Sequence, residues 1–447
     1  MATTSKRKEA PSTPLHVVSS LSIPSTPRTP FTPSKTEPFT VTSKDIELMN
    51  PSAQWIDLKI KPEELRCSNT LTNGQSFTWK AVIDSTAIEA LPIESSPSSS
   101  SSSSICTPTP KPPNSNLPVA SAWGVANATQ WCGIINGKIL TIQETVESTL
   151  VRQLYPENGD EGLLVGEMKD YFNLHINLSD LYKEWRETTN SNVDNIGNSR
   201  LNTIMDHLIG VRVLRQDPYQ TLMCFILSSN NNIPRINLLV DRLEKGYGSF
   251  LCDVVSAEDK NTVKYKFYTF PNHSQLKELD EQTYRDLGLG YRAKFFVSTI
   301  AKLSTLPPSY LTDLRLLIKA DLSAYELSQI SYITGENWDP KNGRKTISLK
   351  LCEFMGVGRK VADCISLFSM DTHNCIPVDT HVWKIGLREF GESSGLGPTP
   401  ESLSFKKYES LGEYPRYQVY NHTNSLNVKI SICQHLISDS LPHPPFL

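Results

Sequence analysis

The sequence lacks any apolar run close to the ~20 residues that a membrane-spanning helix needs, and its N-terminus has no hydrophobic segment of the signal-peptide kind. The expectation is a soluble intracellular protein with no membrane partner. Cys-x-x-Cys pairs are lacking too. The nine cysteines are odd in number and scattered from Cys67 to Cys433, which argues against a disulfide framework, a zinc ribbon and an iron-sulfur cluster and fits a reducing compartment. No metal and no cofactor are expected. An excess of one charge is also missing: 44 Lys+Arg against 47 Asp+Glu leave a net charge of -3, so a surface for a polyanion must be local if it exists. Finally, 38% hydrophobic and 20% charged residues are low for a compact protein, so part of the 447-residue chain builds no core.

The 30 prolines and the serine runs show where that part lies. Residues 1–50 read as a disordered tail rich in Ser, Thr and Pro, with Thr26-Pro27, Thr29-Pro30 and Thr32-Pro33 as phosphorylation candidates. Lys6-Arg7-Lys8 is a candidate nuclear import signal, which makes the nucleus the expected location and the mitochondrion a second one. Residues 51–162 read as an antiparallel β-domain. Asp57 to Ile60 alternates, Asn73-Gly74 marks a turn before Ser76 to Trp79, and strands resume at Ala122 to Val125. Trp131 to Leu140, with Asn136-Gly137 inside it, is a hairpin. A serine tract and a Pro-rich stretch at about 92–118 interrupt this domain as a flexible insertion. From 163 to 395 the period turns helical, with Asp217-Pro218 starting a helix, Pro234 near the start of another, and Gly288-Leu289-Gly290 and Gly356-Val357-Gly358 joining pairs. The fold class is therefore α+β, an N-terminal antiparallel β-domain followed by a helical bundle, with an atypical segment at 396–447.

Chemistry concentrates in one stretch. Around 347–369 a helix ends at Met355, Gly356 and Gly358 make a tight hairpin, and a second helix turns Val361 inward. Exposed amides at such a hairpin suit a phosphate, although a Gly-x-Gly turn is also simply how two helices are joined. Lys341, Arg344, Lys345, Lys350, Arg359 and Lys360 face only Glu353 in the same stretch, a local basic face. Lys360 heads the second helix. The helix dipole, Arg359 and partial burial would all disfavour its charge, leaving a neutral amine able to attack a sugar carbon and form a Schiff base. A surface lysine touching a phosphate is the other reading. Asp379, after Pro377, either caps a new helix or also stabilises positive charge as a glycosidic bond breaks, and nearby His381 is either functional or a surface histidine. Asn230, Asn232 and Arg235 at one helix junction, and Tyr291 with Arg292 at another, are groups that suit base edges and stacking, though asparagine runs also end helices.

Five blocks in order, Asn73 to Phe77, Leu214 to Pro218, Ser228 to Arg235, Leu287 to Ala293 and Gly356 to Val382, carry a resemblance. Over about residues 55–395 the chain resembles the eukaryotic 8-oxoguanine DNA glycosylases of the helix-hairpin-helix superfamily. The resemblance implies a β-domain packed on a helical helix-hairpin-helix bundle. It also implies base flipping in damaged double-stranded DNA, excision of 8-oxoguanine opposite cytosine, and β-elimination at the abasic site. It makes Lys360 the nucleophile and Asp379 the catalytic carboxylate. Gly74 becomes the glycine whose carbonyl senses the N7 hydrogen of the oxidised base, and Cys364 a residue against the flipped base. Asn230, Arg235 and Arg292 become readers of the orphaned cytosine, with Asn232 beside them, and Tyr291 the wedge. Gly356, Gly358, Val361 and His381 become phosphate contacts. The serine tract and Gly335 to Lys345 look like surface-loop insertions. At the C-terminus, Leu411 to Gln418 departs from the family's Gly-Pro-Tyr-Ala-Gly-Trp-Ala-Gln segment, and Gln418 is the nearest match to its base-pocket glutamine. The resulting expectation is a metal-free, monomeric DNA glycosylase and lyase of base excision repair. A glycosylase for another lesion and a DNA binder with impaired catalysis stand as alternatives.

Overall fold

The computed structural model describes residues 39–84, 129–157, 159–191, 205–319, 321–335, 339–373 and 377–379, with Asn202 and Cys375. Order begins earlier than the composition suggests. Helix α1 (Ser43–Met49) starts at a capping box in which Thr42 and Asp45 satisfy each other's backbone amides. Its Ile46 is fully buried, so residues 39–50 do not belong to a disordered tail, and residues 1–38 lie outside the described residues. The cap signal lies at Thr42, where a Ser/Thr-rich composition hides it.

Strands β1 (Ile56–Asp57), β2 (Lys80–Ala81), β3 (Gln130–Ile135), β4 (Lys138–Glu144) and β5 (Thr149–Tyr155) form one antiparallel sheet in the order β1-β5-β4-β3-β2. The β3–β4 turn is Asn136-Gly137, both at positive φ (50° and 76°), as a tight hairpin requires. Strand β1 is shorter than the alternation of Asp57 to Ile60 suggests, because Lys59 takes a left-handed backbone conformation at φ 55°. Ser76 to Trp79 likewise precedes the short strand β2, and a one-turn helix α2 (Cys67–Thr70) comes before the Asn73-Gly74 turn. Strand β3 is buried on both faces because each face has its own cover. Trp131 and Ile135 meet Leu164, Met168 and Phe172 of α3 (Glu161–Tyr171) and its exit. Cys132 and Ile134 meet Val254, Tyr265 and Phe267 of a second hairpin, together with Ile46.

That second hairpin, β6 (Phe250–Val255) and β7 (Val263–Tyr268), lies inside the stretch read as wholly helical. It is fixed to α1 by the buried Asp45 carboxylate, which accepts from the Ala257 amide at 2.6 Å and pairs with Lys264 at 2.9 Å. The remaining elements are helical: α4 (Leu178–Ser191), α5 (Pro218–Ser228), α6 (Ile233–Tyr247), α7 (His273–Leu276), α8 (Glu281–Asp286), α9 (Arg292–Ser304), α10 (Tyr310–Leu316), α11 (Ala324–Thr334), α12 (Gly343–Cys352) and α13 (Arg359–Ser369). Helix α5 runs through the centre. Asp217 caps it, Pro218 opens it, and Thr221 to Leu227 are all buried, each large apolar side chain contributing about 1.5–3 kcal/mol. Gly335 to Lys345 is not wholly a surface loop. Gly343 begins α12 so close to the Leu317 carbonyl that a Cβ would stand 2.0 Å from its oxygen. The serine tract and residues 380–447 lie outside the described residues.

Candidate nucleic-acid site

Lys360 stands in the first turn of α13, directly after the Gly356 to Gly358 hairpin. Gly356 is at φ 86°, and a Cβ there would meet the Phe295 ring at 2.5 Å, so conformation and space both demand glycine. Gly358 is the helix cap, and Val357 and Val361 turn inward. The amides of Val357 and Ala362 are already paired with the Phe354 and Gly358 carbonyls.

The ionisation of Lys360 differs from the sequence expectation of a neutral amine. Its ammonium is held above the ordinary lysine value, first by the Cys364 sulfur and then by the Asp379 carboxylate, against the opposing effect of burial. Burial pushes the Cys364 thiol itself up to about 11, so it is a neutral thiol beside the ammonium at neutral pH. Arg359 does not depress Lys360 as expected, and its Nε lies 3.4 Å from the Asp363 carboxylate. Lys360, Cys364 and Asp379 thus come together as electrostatic neighbours. Of the other cations in the basic stretch, Lys350 pairs with Glu353 at 3.2 Å, and Lys302 of α9 joins the same carboxylate at 2.8 Å. Lys341 and Lys345 stay exposed.

A second part of the site is the Asn73-Gly74-Gln75 loop. Gly74 is at φ 89°, and a Cβ would stand 2.6 Å from Ile233 Cδ1, the first residue of α6. The loop is held by Gln75, 1% exposed. Its Nε2 donates to the Thr70 and Arg212 carbonyls at 2.9 Å each, and its Oε1 accepts from the Leu214 amide at 2.9 Å. The Gln216 side chain donates to the Gln75 carbonyl at 2.6 Å. From this loop a column of rings reaches α13: Phe77 meets Phe225 at 6.0 Å between centroids, and Phe225 stacks on Phe368 of α13 at 5.5 Å.

The third part gathers at one carbonyl. Ser229 C=O accepts from Tyr291 Oη at 3.0 Å and from Arg292 Nε at 2.9 Å, with Arg292 Nη2 also donating to it and to the Asn230 carbonyl. Arg292 is buried and lies 4.5 Å over the half-exposed Tyr291 ring. Asn230 takes φ 49°. Asn232 caps α6 through its side chain, and Arg235 reaches the Gly288 carbonyl at 3.3 Å, which ties the two helix junctions together. Tyr291, Phe295 and Met355 to Gly358 line an open groove between α9 and the hairpin. His381 and Gln418 lie outside the described residues. Sequence reasoning missed Gln75 and Asp363. Both are polar residues inside apolar surroundings, and only their burial marks them.

Comparison with known proteins shows what the chain is similar to. Residues 119–222 match the family model described as the N-terminal domain of 8-oxoguanine DNA glycosylase. The chain is 28% identical over 369 residues to the N-glycosylase/DNA lyase OGG1 of Arabidopsis thaliana, covering 81% of this chain and 76% of that protein. It is 30% identical over 203 residues to the N-glycosylase/DNA lyase of Saccharomyces cerevisiae, covering 45% and 47%. In fold it is similar to the Clostridium acetobutylicum 8-oxoguanine glycosylase/lyase in complex with double-stranded DNA containing cytosine opposite 8-oxoG (TM-score 0.51, 21% identity, 83% and 91% covered). It is also similar to MBOgg1 in complex with a low-affinity DNA ligand (TM-score 0.52, 17% identity, 84% and 92% covered).

Proposed function

We propose that this chain is an 8-oxoguanine DNA glycosylase, whose residues excise 8-oxoguanine from duplex DNA and cleave the strand at the abasic site. The observation that carries the reading is Lys360. It is a lysine at the start of the post-hairpin helix, with Cys364 and Asp379 as its electrostatic neighbours. The lesion is flipped out of the stack toward Gly74, whose carbonyl accepts the N7 hydrogen that guanine lacks. A missed hydrogen bond in a closed pocket costs about 1–3 kcal/mol, enough to discriminate. Asp379 takes the proton that the Lys360 ammonium must lose. The free amine attacks the sugar carbon as the base departs with the proton that Asp379 passes on to it, and the carboxylate so restored stabilises the positive charge that develops on the sugar. The resulting Schiff base permits β-elimination. Asn230 and Arg235, with Arg292 behind them, face a cytosine opposite the lesion, and Tyr291 enters the gap. The hairpin glycines, with Val361 and His381, meet the phosphates. The protein acts as a monomer, and Lys6-Arg7-Lys8 directs it to the nucleus.

Borohydride trapping tests this. Wild-type protein gives a covalent complex with duplex DNA holding 8-oxoguanine opposite cytosine, and Lys360→Gln gives none while still binding the duplex. Equal trapping by the variant places the nucleophile elsewhere. A panel of lesions and opposite bases in the same assay separates 8-oxoguanine from other substrates.

A further inference from the structure

Asp363 has no part in the chemistry described above, yet it sits on the nucleophile's own helix with no solvent exposure. Its neighbour in sequence is Cys364, which touches Lys360. One turn earlier is Arg359, adjacent to Lys360, whose Nε stands 3.4 Å from each Asp363 oxygen. The Arg359 side chain is itself only 13% exposed, so this is a pair inside the protein rather than a solvated one. Among the described residues, the other titratable groups around this end of α13 are Cys352 and Arg344 on α12, Cys375 in the segment after α13, and Asp379. Arg344 hydrogen-bonds to Cys375, and burial leaves the three cysteines as neutral thiols at neutral pH. The charges that remain are two guanidinium groups, the Lys360 ammonium and the carboxylates of Asp363 and Asp379.

We propose that Asp363 is a positioning residue for the Lys360 nucleophile: by holding the Arg359 guanidinium along the helix and cancelling its charge, it keeps Arg359 from competing with Lys360 for the Asp379 carboxylate. This rests on the reading of Lys360 as the nucleophile. With Asp363 in place, the nearest cation in sequence neither repels the ammonium nor draws Asp379 away from it. With Asp363 neutralised, Arg359 does both, and the amine loses its proton at lower pH.

The test uses the full-length chain and a duplex with a preformed abasic site, so that base excision does not enter. The rate of single-turnover borohydride trapping is followed from pH 5 to 9, and duplex affinity is measured separately. Asp363→Asn keeps the shape and an acceptor for Arg359 but not the charge. Its ascending limb is expected to move to lower pH by about half a unit or more. Adding Arg359→Gln to that variant removes the uncancelled cation and is expected to move the limb back toward wild type. A lower rate with an unmoved limb in Asp363→Asn, or a double variant whose limb stays displaced, overturns the proposal, since a purely structural role predicts either. If Asp363→Asn does not fold, the single Arg359→Gln variant decides. It leaves Asp363 uncompensated, so its limb should move to higher pH, and an unmoved limb overturns the proposal. Trapping that survives in Lys360→Gln refutes the nucleophile assignment, which is a distinguishable failure.

Discussion

Glu244 offers a prediction whose size follows from the structure. It lies on α6, 7% exposed, on the side that meets the β-domain. Burial pushes its carboxyl up to about 8 from an ordinary 4.5, with Asp241 raising it further and Lys80 and Lys245 opposing. The two lysines are already engaged by Asp241, at 3.6 Å and 2.8 Å, and Asp241 also accepts from the Tyr265 hydroxyl at 2.7 Å. Glu244 is therefore protonated in the folded protein at neutral pH and ionised in the unfolded chain. Below pH 4.5 both states hold the proton and the group is neutral toward stability. Between 4.5 and 8 only the folded state holds it, so stability falls as pH rises, and above 8 the loss is complete. At pH 7 the difference is 2.5 pH units, about 3 kcal/mol. Glu244→Gln has the shape of the protonated acid and no proton to lose. Urea unfolding at a series of pH values from 5 to 9 should show wild-type stability declining toward pH 8, with the variant's decline over the whole series smaller by about 4 kcal/mol. Parallel pH profiles for the two proteins would falsify the buried, protonated assignment.

Two further predictions concern the Asn73-Gly74-Gln75 loop. Gly74→Ala forces a left-handed alanine and a 2.6 Å approach to Ile233, so it should destabilise by about 1–2 kcal/mol and lower 8-oxoguanine excision far more than abasic-site cleavage. Equal losses in the two assays would mean that the loop serves folding only. Gln75→Ala strips partners from the Thr70 and Arg212 carbonyls and the Leu214 amide, a loss of about 1–3 kcal/mol for each group left without a replacement. Denaturant midpoints measure that loss. Unchanged excision in Gln75→Ala at saturating enzyme would show that Gly74 is placed by something other than this glutamine.

The parts of the fold that were legible in the sequence are those whose cause is local. Asp217 and Pro218 begin a helix because a cap and a first-turn proline act within one turn, and Asn136-Gly137 makes a hairpin because those two residues accept positive φ. The glycines at 356 and 358 belong to the same class. Hairpin β6–β7 was illegible for the opposite reason. Its strands are held by what they cover, the outer face of the first sheet and the Asp45 carboxylate of α1, and no window around residues 250–268 contains that information. The Thr42 capping box is local, but it was masked by the Ser/Thr-rich run in which it sits.

The site divides along the same line, and Lys360 shows why. Its position at the head of a helix is a local fact, and its nomination as a nucleophile followed from that position. Its ionisation is not local. The sequence neighbour expected to depress the ammonium, Arg359, lies 3.4 Å from Asp363 one turn away, while Cys364 and Asp379, four and nineteen residues on, raise it. Charges brought together by folding outweigh those adjacent in sequence, because the effect of a charge depends on separation and local dielectric rather than on chain order. The same reasoning makes the resting lysine an ammonium, so that loss of its proton becomes a step of the reaction. In the proposed reaction the groups that set its timing are the carboxylates of Asp379 and Asp363 rather than the helix dipole.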